Sequence, residues 1–227
     1  MPPPAELLPW DSEFWGVRIG RVLDAERLDE VDAWVDENGV ACVYLRTEDE
    51  PEAVHAALAA GFELVEPRLT LTLRRGGARL SSELRVRDQQ PGDLPALREL
   101  ARRTRYVSRF AFDPRFAPRA PEYFEAWIGF ADAVLVVEQD GEIRGYITCR
   151  LPESGVDSSF GIVAVDDTSR ERGVGTALLQ HGSEWLFDRG METVSVAIAA
   201  RNIATLRYVE RFGFMATAFE LWFHRWY

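Results

Sequence analysis

At 227 residues, 47% of them hydrophobic, the chain can bury a sizeable core as one large domain or two small ones. Its net charge of -11 repels polyanions and no basic face extends along the sequence, which argues against nucleic acid as a partner. Apolar runs such as AVLVV (133–137) are far too short to cross a bilayer, and MPPPAELLPW lacks the basic and apolar regions of a secretory leader, so a cytoplasmic protein without a membrane partner is expected.

In chain order, GVRIGRVL (16–23) alternates as a strand does, and ERLDEVDAWVDEN (26–38) is an amphipathic helix stopped by Gly39. VACVYLR (40–46) reads as a buried strand. EPEAVHAALAA (50–60) is a helix with Pro51 in its first turn and Gly61 at its end. ELVEPRLTLTLR (63–74) is a strand interrupted at Pro67, and RGGARLSS (75–82) has the small, glycine-rich character of a linker. LRVRDQQ (84–90) is strand-like, and GDLPALRELARRT (92–104) is a helix capped by Asp93. AVLVVEQDGEIRGYITCRL (133–151) is a hairpin turning at Asp140-Gly141. A strand at 159–165, a helix at 174–189, a strand at 193–199, a helix at 203–212 and a closing strand from 215 complete the chain.

Two stretches repeat each other. Trp34 precedes Gly39 by five residues and Trp185 precedes Gly190 by five; a Gly-Phe pair then follows 22 and 23 residues later. Each copy reads helix–strand–helix–strand. The copies differ at the start: the first opens on DAERLDE, which is acidic and rejects phosphate, and the second on SRERGVG.

Arg170-Glu171-Arg172-Gly173-Val174-Gly175 follows a strand and opens a helix. A helix N-terminus presents unpaired N–H groups and partial positive charge, and glycines let the backbone approach phosphate oxygens. A P-loop would need Lys-Ser/Thr where Thr176-Ala177 stand, and a dinucleotide fingerprint would need a small residue at Leu178. The stretch is either a plain helix start or a phosphate cradle, and its placement between strand and helix favours the cradle.

R-x-x-G-x-G after a strand, then helix, strand, Arg-Asn and a helix ending in Gly-Phe, resembles the GCN5-related N-acetyltransferase (GNAT) family over residues ~84–227. The resemblance implies an α/β (α+β) fold, a mixed and mostly antiparallel sheet flanked by helices. It also implies acetyl-CoA as co-substrate: its pyrophosphate would lie on Arg170 to Gly175 with Thr176, its pantetheine arm along a splayed strand at Val163, Ala164 and Val165, with Asn202 beside it. The repeat then divides the chain into a partial GNAT-like domain without a donor loop (1–76), a linker (77–82) and a complete domain (83–227).

A narrower resemblance, carried by LPWDSEFWGVRIGRV and SRFAFDPRFAPRAPEYFEAWI (108–128), is to the branch of that family acting on dTDP-linked 4-amino-4,6-dideoxy sugars. It implies a nucleotide-sugar amine as acceptor, with Arg109, Phe110, Arg115 and Tyr123 near it. Charge placement points the same way. Residues 1–60 hold fourteen acidic side chains and four arginines, whereas 98–119 hold seven arginines against Glu99 and Asp113. That segment suits a diphosphate, although a chain whose 26 cations include no lysine also reflects coding bias. A protein N-terminus, a polyamine or an antibiotic are alternative acceptors, and a non-catalytic CoA-binding module is the alternative outside enzymology.

In the family a tyrosine seven residues after the asparagine protonates the leaving sulfur. That count reaches Val209, and Tyr208 stands one place early, about 100° around the helix. Either the local winding brings Tyr208 to the sulfur, or Tyr208 is core and another donor serves. His55, His181 and His224 have no metal-site spacing, so no metal is expected, and Cys42 and Cys149 read as buried thiols. The aromatic last strand could form a homodimer edge or be covered within the chain.

Overall fold

The computed structural model describes residues 2–227. The first third supplies β1 (Ala5–Leu7), α1 (Pro9–Trp15), β2 (Ile19–Val22), α2 (Val31–Asn38), β3 (Cys42–Glu48), α3 (Pro51–Ala59) and β4 (Glu63–Arg74). Then come β5 (Val86–Asp88), α4 (Leu94–Arg103), α5 (Arg109–Phe112), α6 (Ala120–Ala126), β6 (Ala133–Gln139) and β7 (Glu142–Arg150). The chain ends with β8 (Asp157–Val165), α7 (Val174–Phe187), β9 (Thr193–Ala199), α8 (Ile203–Phe212) and β10 (Met215–Trp226).

All ten strands join one sheet in the order β1-β2-β3-β10-β4-β9-β8-β7-β6-β5. Its β2/β3 and β8/β9 junctions are parallel and the rest antiparallel, which gives the expected mixed, mostly antiparallel sheet. The two repeats, α2–β3–α3–β4 and α7–β9–α8–β10, do not occupy separate sheets. The last strand of each lies beside the first strand of the other: β10 pairs with β3, and β4 pairs with β9. Residues 77–82, expected as a linker, are tied to α7 and α8, with Arg79 N–H on the Phe212 carbonyl (2.7 Å) and Ser82 N–H on Gln180 Oε1 (2.9 Å).

Alternation along the strands sends apolar side chains to both faces. On one face Leu178, Leu186 and Phe212 of α7 and α8 pack on Leu71, Leu73, Ile147 and Val194. On the other, Leu97 and Leu100 of α4 pack on Val136, Tyr146, Ile162 and Ala164. Beside that layer, Trp15, Tyr44, Phe110, Phe116 and Tyr123 form an aromatic core under α1, α5 and α6.

The Asp140-Gly141 turn has φ of 55° and 74°, the left-handed pair a two-residue hairpin needs. Three local expectations are corrected. The helix expected at 26–38 is a 3₁₀ turn (Ala25–Glu30) followed by α2, broken where Arg27 leaves helical dihedrals and its guanidinium binds Glu30 and the Pro2 carbonyl. Pro67 does not interrupt β4: its carbonyl accepts from Ala200 just past the last β9 pair, Arg68–Ala199, so its missing N–H falls where the ladder has ended. Asp93 does not cap α4; its carboxylate instead accepts from Gln90 N–H (2.7 Å) and pairs with Arg87 (2.6 Å).

Candidate active site

β8 and β9 pair only where Asp157–Ser159 face Thr193–Ser195. Beyond this the strands part, while β8 stays on β7. Asp166 N–H donates to the Arg144 carbonyl (2.8 Å) and Ile162 N–H to Thr148 Oγ1 (2.7 Å). The alternation therefore turns the main-chain groups of Ile162, Ala164 and Asp166 toward β7, and those of Val163 and Val165 into the gap. Of the three expected strand residues, Val163 and Val165 line the resulting cleft; Ala164 faces the α4 core and is buried.

At the end of the gap the chain makes a 3₁₀ turn (Asp167–Ser169) and enters α7 through Gly173. Glu171 has φ of 61° and Gly173 of 82°. A left-handed non-glycine residue costs on the order of 1 kcal/mol, and such strain concentrates at functional loops. Gly173 offers no side-chain cap, and the first helical bond is Ala177 N–H to the Gly173 carbonyl (2.9 Å). The N–H groups of Val174, Gly175 and Thr176 thus find no acceptor among the described residues. A Cβ at Gly175 would stand 3.0 Å from the Tyr208 hydroxyl, and one at Gly173 3.3 Å from Ser82 Oγ. An open, uncapped helix start with a narrow glycine approach fits a phosphate-bearing acyl donor.

The same cleft, about 1700 Å³, takes in Arg170, Glu171, Gly173, Gly175, Thr176, Asn202 and Tyr208. Asn202 opens α8, its side chain accepting from Thr205 N–H (3.4 Å). The Tyr208 hydroxyl donates to Thr176 Oγ1 (3.4 Å), and burial raises its pKa, so it stays protonated. Val209, one place on, is buried in the α7–α8 core. The helix thus turns Tyr208, which the spacing left uncertain, toward the loop. Arg170 is exposed and pairs with Asp167 (2.6 Å), while Arg172 and Val174 lie outside the lining, Arg172 in solvent and Val174 in the core.

Arg109, Phe110 and Tyr123 line the cleft as well. Arg109 is 8% exposed, has no carboxylate within ion-pair distance, and lies over the rings of Trp222 (3.9 Å), Tyr44 (4.4 Å) and Phe110 (4.5 Å). Its Nε and Nη1 are buried without partners, and burial lowers its pKa. Tyr123 packs at a tilt on Phe110 (ring centroids 4.2 Å apart) and donates to Asp11 Oδ1 (3.4 Å); burial raises the pKa of both Tyr123 and Asp11. Arg115 is not part of the cleft: its guanidinium lies over Trp226 (5.0 Å). Sequence reading missed Glu66, Arg68 and Arg79, which also line it. Glu66 and Arg68 sit on β4, whose neighbours are set by the interleaving and carry no local signal.

His224, which the sequence left without a role, is 1% exposed and donates through Nδ1 to Asp113 Oδ2 (2.7 Å); Trp226 Nε1 donates to the same oxygen (2.9 Å). This joins the segment after α5 to β10. Burial holds the His224 pKa near 4, so the ring is neutral, and hydrogen bonds from His224 and Trp226 lower that of Asp113 despite its burial. Cys42 and Cys149 are buried free thiols. Among the described residues no group of three His, Cys, Asp or Glu is placed to hold a metal, and no helix is long and apolar enough to cross a membrane.

A family model described as "Acetyltransferase (GNAT) family" matches residues 94–214. The chain is 30% identical to the dTDP-fucosamine acetyltransferase of Escherichia coli O6:H1 over 97% of both chains. It is 29% identical to the spore coat polysaccharide biosynthesis protein SpsD of Bacillus subtilis, over 60% of this chain and 49% of that protein. Among solved structures, a GCN5-related N-acetyltransferase from Kribbella flavida superposes with a TM-score of 0.66 at 12% identity, covering 99% of this chain and 87% of the other. GNAT enzymes use acetyl-CoA as co-substrate. The chain belongs to the GNAT family and is an N-acetyltransferase.

Proposed function

We propose that this enzyme transfers the acetyl group of acetyl-CoA directly to the amino group of a dTDP-linked amino-deoxy sugar. The observation that carries the reading is one cleft joining the uncapped start of α7 to a buried, unpaired Arg109. The full-length similarity to a dTDP-fucosamine acetyltransferase, N-terminal segment included, supports the acceptor class. On this reading residues 83–227 carry the donor loop, and residues 1–76, reached through the 77–82 linker, are the half-copy that lacks it.

Bound acetyl-CoA supplies an activated acyl carbonyl. The N–H groups of Val174, Gly175 and Thr176 hold its pyrophosphate, with Arg170 to Gly173 around it. Val163 and Val165 offer main-chain partners to the pantetheine arm beside Asn202, and an N–H in the gap stabilises oxyanion charge. Tyr208, protonated, donates to the departing sulfur. Arg109 takes an anionic group of the acceptor, flanked by the rings of Phe110 and Tyr123. Burying a guanidinium without a partner costs several kcal/mol, and an acceptor phosphate would offset that.

The test is acetyl-CoA consumption with dTDP-4-amino-4,6-dideoxygalactose, the free amino sugar and a polyamine in parallel. The nucleotide sugar should give the highest kcat/KM; equal use of the polyamine would remove the sugar assignment. Tyr208→Phe should lower kcat about 100-fold with unchanged acetyl-CoA affinity. Wild-type turnover would pass that role to another donor.

A further inference from the structure

Of the three carboxylates in the cleft wall, Glu171 and Glu210 are exposed on the loop and on α8; Glu66 alone is buried, 2% exposed. Its Oε1 is held by Arg68 at 2.6 Å, and its Oε2 has no partner. Buried carboxylate oxygens are ordinarily satisfied, because an unmet one forfeits its hydration. Arg68 is itself steadied by Glu220 (3.8 Å) and by the Trp222 ring (4.9 Å), so the Glu66 side chain is fixed from one side and unmet on the other.

Its place in the sheet adds a second line. Arg68–Ala199 is the last β4/β9 pair, so Glu66 lies just beyond the end of β9, where the gap beside β8 opens. Arg109, with its own unpartnered donors, lines the same cleft. An unpartnered carboxylate oxygen and unpartnered guanidinium donors lining one cleft match an acceptor that carries both an amine and an anion.

We propose that Glu66 seats the ammonium group of the acceptor and takes its proton as the amine attacks. The proposal rests on the reading of this cleft as the site of acetyl transfer to an amine. One proton leaves the ammonium for Glu66, and the freed lone pair forms the C–N bond at the acyl carbonyl. The C–S bond breaks as the second nitrogen proton passes to sulfur, relayed by the Tyr208 hydroxyl, which gives one proton and regains one. Glu66 then releases its proton to solvent. The reactants are an ammonium and a thioester; the products are an amide, a thiol and one proton.

Glu66→Gln keeps the volume and the acceptor for Arg68 and removes the charge. At pH 7 its kcat/KM for the amine should fall about 100-fold, with acetyl-CoA affinity within twofold of wild type. The pH profile separates chemistry from structure. Wild type, in which carboxylate and ammonium share one proton, should be flat through neutral pH. The Gln variant needs free amine and should gain about tenfold per pH unit. Wild-type kcat/KM in this variant, or a loss that does not change with pH, would overturn the proposal. Glu66→Asp keeps the charge, so it should be slower with a flat profile and decides the matter if the Gln variant does not fold; wild-type rate there also overturns it. A wild-type enzyme that binds acetyl-CoA and acetylates no amine would sink the functional reading itself. An active wild type with an indifferent Glu66 would sink only this inference.

Discussion

The two repeats share one scaffold and differ at the one point where a ligand could enter. Asp24 and Gly175 each stand fifteen residues before their stop glycines, Gly39 and Gly190. In the first copy the Asp24 carboxylate accepts from Glu26 N–H (3.0 Å), so the start of the 3₁₀ turn leading into α2 is capped by its own chain. Asp32, on α2, is likewise met by Arg225 (2.8 Å) and the Tyr227 hydroxyl (2.8 Å). In the second copy the corresponding donors are left open. Ala56 and Tyr208 each stand five residues before the Gly-Phe glycine, so the first copy also lacks the hydroxyl that meets Thr176. The first copy still contributes to the site: its strand β4, lodged between β9 and β10, carries Glu66 and Arg68 into the wall. On the proposed reading, one copy keeps the donor site and the other lends the acceptor side its charges.

Writing the first copy's residue into the second should break this division most completely. Gly175→Asp places a Cβ 3.0 Å from the Tyr208 hydroxyl and a carboxylate among the open N–H groups. Acetyl-CoA affinity, measured by calorimetry, should fall at least about 100-fold, roughly 3 kcal/mol from lost phosphate contacts and like-charge repulsion. Affinity near that of wild type would mean the phosphates lie elsewhere.

The seam between the copies carries the next largest effect. His224, on the strand that crosses into the first copy, has a folded pKa near 4 against an ordinary 6.5. Between those values the unfolded chain binds a proton that the folded chain refuses, so stability falls as pH drops from about 6.5 to about 4 and is level above. The gap corresponds to on the order of 3 kcal/mol. Asp113, lowered by the same hydrogen bonds, adds a loss only further down, as pH falls below the ordinary carboxylate range. Urea titrations at pH 7 and pH 5 should show this drop, and His224→Asn should flatten it. An unchanged slope in the variant would place the acid sensitivity elsewhere.

What the sequence disclosed follows the range of the interactions involved. The α7 loop, the β6–β7 turn and the repeat are written in residues close along the chain, through left-handed glycines, Asp-Gly and stop glycines. Tyr208 was ambiguous by spacing because one residue is a quarter-turn; the packing of Val209 into the core settles its direction. Glu66 was invisible as a site residue, because its neighbours are Arg68 beside it and Trp222 across a pairing of the two copies. Arg109 follows from the resemblance and the local charge, while its three ring partners come from three separate elements. Arg115, in the same arginine-rich segment, turned to Trp226 instead.

The smallest effect tests the comparison from the other side. Asp24→Ala removes the carboxylate that caps the first copy and leaves the Glu26 N–H unmet. A lost N-cap costs about 1 kcal/mol, which should appear as an earlier urea midpoint with an unchanged slope. The same variant should bind acetyl-CoA no more than once per chain. Uncapping exposes a donor, but the neighbouring Glu26, Asp29 and Glu30 keep the segment acidic, and no glycine there lets a phosphate approach. A second equivalent of bound ligand would mean that one side chain had closed the first site. Stoichiometry held at one would mean that a phosphate site needs the glycines as well as the open N–H groups.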